Sequence, residues 1–297
     1  MGTKHKRNGQ SIKRMEHILE QDDIEQVTRP SRSTQFYIFN LFADYIVPRG
    51  GRIWTNDLLT LLELLGVSAR TGRTTLSRMK QQGWFETEKV GRQTQYVITE
   101  RGRVILEEGD KRIFEEPLTD WNGRWQMAVY SLPEELRKER NELRKKLLWF
   151  GFGNLAPGTW VSPHDRQAEI AEVVNRLDIG EYVTLFAGET EDDRGLIQKC
   201  WPLEALAADY QIFLNRHQHD YEAYREGWLT PTAEDCFVRR FWLTFNFQRF
   251  PLNDPNLPLE LLPDDWPGTT ARHIFKEYRA LLNEGMGAFM DDLVSVR

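Results

Sequence analysis

The chain of 297 residues contains only two cysteines, Cys200 and Cys236. Two cysteines are too few for a disulfide framework, and no CxxC pair or Cys/His cluster has the spacing of a zinc site. We therefore expect both thiols to be free and buried, as in a protein of a reducing compartment.

Long hydrophobic runs are also missing. No stretch approaches the roughly 20 apolar residues that are needed to cross a bilayer. The basic start MGTKHKRNGQ is not followed by the apolar segment of a secretory signal, and Lys6 stands where a myristoylation pattern requires Ser or Thr. A cytoplasmic location without a membrane partner is expected.

The common catalytic motifs are absent as well. The sequence has no P-loop, zincin or kinase pattern, and Gly151-Phe152-Gly153 leaves a predicted helix and enters a strand, the reverse of the dinucleotide-binding order. His217 and His219 have no metal-ligand partners at usable spacing, so we expect both to be solvated. No catalytic residue, metal site or cofactor is predicted.

The charges that are present are distributed unevenly. The whole chain has 39 Lys and Arg against 45 Asp and Glu, a net charge of -6. Residues 34–106 reverse this balance, with ten Lys and Arg against six Asp and Glu. Because nucleic acids attract local positive charge, we expect any such contact to come from the first third of the chain.

The N-terminal third predicts three helices after a polar, flexible tail over residues 1–33. The first helix covers residues 34–47. The second has Thr55 as its N-cap and the third has Ser68 in the same role. Two β-runs then form a hairpin that turns at Gly91-Arg92. This order predicts a winged helix-turn-helix domain over residues 34–116.

The third helix carries four cations and no acidic residue between Ser68 and Gly83. Its polar face could lie in the major groove of DNA, where Arg reads guanine and Thr or Ser reads base edges. The predicted DNA-binding residues of this helix and the hairpin are Arg70, Arg73, Thr74, Ser77, Arg78, Lys80, Lys89, Arg92 and Gln93. The alternatives are a solvated helix used for protein contacts and a hairpin tip that is only a polar turn.

Strands and helices alternate after Trp121. Their order predicts a ferredoxin-like βαββαβ domain over residues 117–190. Three helical blocks follow and predict a helical C-terminal domain over residues 191–297. The expected fold class is therefore α+β multidomain.

Aromatic and basic residues of the last third could line a pocket for a ligand that has an aromatic acyl group and a negatively charged group. The candidate effector-binding residues are Arg239, Arg240, Arg249 and Trp266. The alternative is that the neighbouring aromatic residues, such as Phe241 and Phe245, form a helix-packing core and that the arginines lie at the surface.

Several long and unusual segments resemble the PaaX-type repressors of phenylacetic acid degradation, over roughly residues 34–290. They are PRGGRIW, RTTLSRMKQQGW, GRQTQYVIT, WNGRW, LRKKLLWFGFGNLAPGTWVSP, WPLEALAADYQIF and FPLNDPNLPLELLPDDWPGTTAR. The resemblance implies a homodimeric transcriptional repressor of phenylacetate catabolism. It also implies release from double-stranded operator DNA by an acyl-coenzyme A effector, phenylacetyl-coenzyme A.

Individual residues follow from the same resemblance. Arg73 and Arg78 match the recognition-helix arginines of the family, and Gly91 and Arg92 match its wing. The family's central domain is similar to small CRISPR-adaptation nucleases, but Ser131 stands where their metal-binding Asp would be. We therefore do not expect an enzyme. The alternatives are a nuclease or hydrolase that the winged helix targets to nucleic acid, and a DNA-binding protein without an effector.

Overall fold

The computed structural model describes residues 34–113 and 121–295, so the predicted tail over residues 1–33 lies outside the described residues. The protein has a multidomain α+β fold with two small antiparallel sheets and a helical C-terminal part. Its chain forms two compact units. The first unit contains the described residues up to 113 together with 217–249 and 274–295, and the second contains 121–216 and 250–273.

The N-terminal part of the first unit contains the three predicted helices and the predicted hairpin. Its elements are α1 (Thr34–Leu41), a π-helical turn (Phe42–Ile46), a 3-10 turn (Val47–Arg49), β1 (Arg52–Trp54), α2 (Thr55–Leu64), α3 (Ala69–Gln81), β2 (Phe85–Val90), β3 (Gln93–Ile98) and α4 (Glu100–Ile113). The sheet order is β1-β3-β2 and both pairings are antiparallel.

Helices α2 and α3 begin differently. The Ser68 hydroxyl accepts a hydrogen bond from the backbone N–H of Thr71 at 3.3 Å, which confirms Ser68 as the N-cap of α3. The prediction of Thr55 as the N-cap of α2 is wrong, because the N-cap is Trp54 and makes no side-chain cap bond. The Thr55 hydroxyl instead donates to the Thr94 carbonyl at 2.8 Å and ties α2 to β3.

The second unit begins with the order strand, helix, strand, strand, helix, strand. Its elements are β4 (Trp125–Tyr130), α5 (Arg137–Trp149), β5 (Gly153–Ala156), β6 (Thr159–Ser162), α6 (Gln167–Arg176), β7 (Val183–Gly188) and α7 (Asp193–Cys200). The antiparallel sheet has the order β5-β6-β4-β7, so β6 and β4 are its inner strands.

Both faces of this sheet are covered. Leu143 of α5 and Ile170 of α6 pack with Trp160 in one buried cluster. Trp125 and Ile197 belong to a second buried cluster. Neighbouring strand residues point to opposite faces, so one strand supplies residues to both clusters.

The predicted helical blocks of the C-terminal part are also observed. They are α8 (Leu203–Arg225), α9 (Ala233–Phe247), the short α10 (Phe250–Asn253), α11 (Pro267–Leu281) and α12 (Asn283–Ser295). Some residues of these helices belong to the first compact unit and others belong to the second. The domain boundaries after residues 116 and 190 stay a prediction, because the division into two compact units by contacts does not test them.

Helix α1 carries aromatic residues that meet two different parts of the first unit. Phe39 contacts Trp84 at the start of the hairpin, with 5.2 Å between the ring centroids. Phe36 and Tyr37 contact Phe245 of α9 at 5.6 and 5.1 Å. The apolar side of α1 therefore joins the helix-hairpin region to the C-terminal helix α9 within one buried core.

Two predictions about titratable side chains need correction. His217 is buried rather than solvated, and its Nε2 lies 3.0 Å from Nδ2 of Asn246. Cys236 is buried as expected, but Cys200 is only half-buried. Burial still raises the pKa of Cys200 to about 11, so this thiol stays protonated near neutral pH.

Candidate nucleic-acid interface

Helix α3 has one buried side and one exposed cationic side. Gly72, Thr75, Leu76 and Met79 are buried, in the spacing of one helical face. The opposite side carries Arg70 and the other predicted contact residues. This amphipathic arrangement fixes which side chains of α3 are available to a partner.

All nine predicted DNA-binding residues are exposed. They are Arg70, Arg73, Thr74, Ser77, Arg78 and Lys80 on α3, and Lys89, Arg92 and Gln93 on the hairpin. The structure thus places six of them on one helix and three at the far end of the hairpin.

The cations differ in how far they are already engaged. Within the described ranges 34–113 and 121–295, no hydrogen bond or ion pair is made by the side chains of Arg70, Arg73, Lys89 or Arg92. Arg78 donates to the neutral Gln35 side chain at 3.2 Å. These guanidinium and ammonium groups therefore keep their charge available for an anionic partner.

The hairpin also carries acidic residues, which the sequence analysis did not weigh. Glu88 of β2 accepts hydrogen bonds from Arg52 at 3.5 Å and from Gln95 at 2.8 Å. Its charge is therefore partly balanced within the sheet. At the tip, Gly91 has a φ of 62°, a left-handed conformation that glycine adopts without strain. Arg92 is the exposed residue that follows it in the turn.

Gly72 sets the distance between α3 and α2. A Cβ atom at this position would lie 2.8 Å from Cδ2 of Leu59 and 3.1 Å from Cδ1 of Leu62. We expect Gly72→Val to lower the free energy of unfolding by about 1–2 kcal/mol through overpacking, measured by urea denaturation. Gly72→Ala is the control. Its gain in helix propensity of about 1 kcal/mol should offset much of the smaller clash, and equal losses in both variants would contradict this explanation.

The four candidate effector-binding residues do not share one unit. Arg239, Arg240 and Arg249 belong to the first unit and Trp266 to the second. Arg239 is paired with Asp220, and Trp266 is buried with its ring centroid 5.8 Å from that of Tyr210. A common effector role for the four residues stays a prediction.

Arg240 is held in a buried ion cluster that the sequence analysis missed. Its Nη1 and Nη2 donate to the two carboxylate oxygens of Asp44 at 2.7 and 3.1 Å, and its Nε donates to Asn283 at 3.0 Å. Arg279 bonds the same carboxylate, and the Thr244 hydroxyl donates to it at 3.3 Å. An effector anion would have to compete with Asp44 for Arg240.

The electrostatics of this cluster favour charged arginine. Desolvation by burial lowers the pKa of Arg240, but Asp44 and Tyr45 raise it, and the net direction is upward. The guanidinium carbon also lies 5.1 Å from the ring centroid of Tyr45. A lone acidic residue in the apolar run FNLFADYIV was the available signal, but it does not identify the partners.

In the part of the chain that the structure describes, three or more His, Cys, Asp or Glu side chains are nowhere grouped so that they could hold a metal ion. None of the described helices is both long and apolar enough to cross a membrane.

These features define a multidomain α+β protein with an exposed cationic helix and hairpin. Three family descriptions match successive segments: "PaaX-like protein" at residues 33–102, "PaaX protein central Cas2-like domain" at 118–197 and "PaaX-like protein C-terminal domain" at 201–292. The chain belongs to the PaaX family.

One curated relative and one solved structure extend this comparison. The chain is 30% identical over 244 residues to the transcriptional repressor PaaX of Escherichia coli strain K12, and the match covers 80% of this chain and 76% of the relative. An uncharacterized protein from Mycobacterium tuberculosis has a similar fold, with a TM-score of 0.60, 20% identity, and coverage of 89% of this chain and 100% of that chain.

Proposed function

We propose that the protein is a transcriptional repressor that binds operator DNA through a winged helix-turn-helix. The observation that carries this proposal is the exposed face of α3, where Arg70 and Arg73 have no partner within the described residues. The β2-β3 hairpin after α3, which pairs with β1 in a three-stranded sheet, and the similarity to the Escherichia coli repressor support it. The enzyme alternative has no comparable support.

In this proposal α3 enters the major groove and the hairpin tip contacts the backbone or the minor groove. The cations of α3 are then available to guanine edges and phosphates. Two copies of the chain would place two such helices on a pseudo-palindromic operator, with a half-site spacing that the dimer determines. Residues 117–190, which contain the β5-β6-β4-β7 sheet of the second unit, would be the ferredoxin-like domain of each copy.

The effector in this proposal is an aromatic acyl-coenzyme A such as phenylacetyl-coenzyme A. It would release the operator only by binding more tightly to the released conformation than to the operator-bound one. Contacts of α1 with both the hairpin and α9 offer a physical connection through which C-terminal helices could bias the DNA-binding part.

The test is a fluorescence-anisotropy titration of the purified protein with a labelled duplex from upstream of its own gene. We expect saturable binding that the same unlabelled duplex displaces far better than a scrambled duplex of equal length. We also expect phenylacetyl-coenzyme A to release the duplex and free coenzyme A not to do so. Equal competition by both duplexes would contradict sequence-specific repression, and release by neither compound would contradict the effector assignment.

A further inference from the structure

Helix α5 carries a cluster of cations within the acidic part of the chain. Residues 107–297 have 22 Lys and Arg against 34 Asp and Glu. The α5 sequence RKERNELRKKLLW alone contains six of these cations and two acidic residues. Such a local reversal of charge marks a surface that differs from its surroundings.

The packing of α5 directs part of this charge outward. Leu143 and Leu147 are buried and define the inner side of the helix. Lys138, Arg144 and Lys145 are exposed on the outer side. Lys138 and Lys145 lie seven residues apart, about 10 Å along the helix axis, so the outer side presents charge over two turns.

Two nearby acidic residues, Glu134 and Glu142, are already paired with other cations. Glu134 is 2.8 Å from Arg140, and Glu142 is 3.5 Å from Arg176. Lys138 and Arg144, in contrast, have no ion pair or hydrogen bond to any residue that the structure describes. The outer side of α5 therefore keeps a net positive charge.

Helix stability does not account for this arrangement. Cations near the C-terminus of a helix are favoured by its dipole, whereas cations in the first turn are disfavoured. Lys138 lies in the first turn of α5 and still has no carboxylate partner among the described residues. An external anion would give this side chain the partner that it lacks.

We propose that the outer side of α5 contacts the phosphate backbone of duplex DNA, as a second contact that is independent of base sequence. Exposed cations spread along a rigid helix complement a regular array of phosphates, and each phosphate contact releases bound counterions. The inference rests on the proposed function, because it adds a backbone contact to a protein that already binds DNA through α3.

The test compares the wild type with the double variant K138A/R144A on the upstream duplex and on the scrambled duplex, over a range of salt concentrations. Two lost phosphate contacts should reduce the slope of log affinity against log salt by about two on both duplexes. The ratio of wild-type affinity to variant affinity should then fall roughly tenfold between 50 and 200 mM salt. The matched control is R194A/K199A, which removes one exposed Arg and one exposed Lys from α7.

The outcomes separate the α5 contact from the repressor function on which it rests. Suppose that the wild type binds the upstream duplex and that K138A/R144A shows the same slope of log affinity against log salt. That result would overturn the α5 contact and leave the repressor proposal standing. Failure of the wild type to bind either duplex would overturn both. An equal loss of slope in R194A/K199A would overturn a specific role for α5. If K138A/R144A keeps the wild-type salt slopes on DNA but no longer binds poly-L-glutamate, the surface would instead bind an acidic protein, and the proposal would also be overturned.

Discussion

Replacement of Asp44 by alanine is expected to lower the free energy of unfolding by about 3–5 kcal/mol, because removal of one partner from a buried ion pair leaves the other charge uncompensated. The side chain of Asp44 is 7% exposed and that of Arg240 is 4% exposed. Without the carboxylate, Arg240 and Arg279 would lie close together, and among the described residues Arg240 would keep the neutral oxygen of Asn283 and the Tyr45 ring but no carboxylate. Urea denaturation midpoints, compared at equal slope, measure this loss.

The matched control removes an aspartate from a more exposed ion pair of the same unit. Asp220 pairs with Arg239, and their side chains are 41% and 30% exposed. We expect Asp220→Ala to cost about 0–1 kcal/mol, since exposed pairs are screened by water and salt. If Asp44→Ala shifts the midpoint no more than Asp220→Ala does, the Asp44 cluster does not stabilise the first unit in the way described.

The local structure around the candidate site could be predicted because neighbouring residues encode it. The Ser68 cap is an interaction within the first turn of α3. The hairpin is marked by two β-runs around Gly91-Arg92. The exposed face of α3 followed from the helical spacing of its apolar residues, so its cationic residues could be named before their surroundings were known.

Long-range packing could not be predicted in the same way. The apolar face of α1 shows that it is buried, but not that Phe36 packs on Phe245. Likewise, Asp44 and Arg240 are separated by 196 residues, and no local pattern links them. His217 shows the converse error. A polar sequence around it favoured solvation, but the pairing of α8 with α9 buries it beside Asn246.

Arg73→Ala is expected to weaken binding of the upstream duplex by about 1–3 kcal/mol if Arg73 reads a guanine, which corresponds to roughly 5- to 150-fold in affinity. Arg73 is exposed in the middle of α3, and no described residue engages its guanidinium. The loss should be concentrated at one base pair of the operator. Anisotropy titrations against duplexes with single base-pair changes measure it, because a change at the contacted guanine should cost the wild type more than the variant.

The control is Arg194→Ala, which removes an exposed arginine from α7 of the second unit. It preserves α3 and should leave the base-pair profile unchanged. A phosphate contact by Arg73 would weaken all duplexes equally and reduce the salt slope by about one, and would therefore place Arg73 on the backbone instead of a base edge. Wild-type affinity of Arg73→Ala for every duplex would contradict the assignment of α3 as the recognition helix, since its least engaged central cation would then have no role in binding.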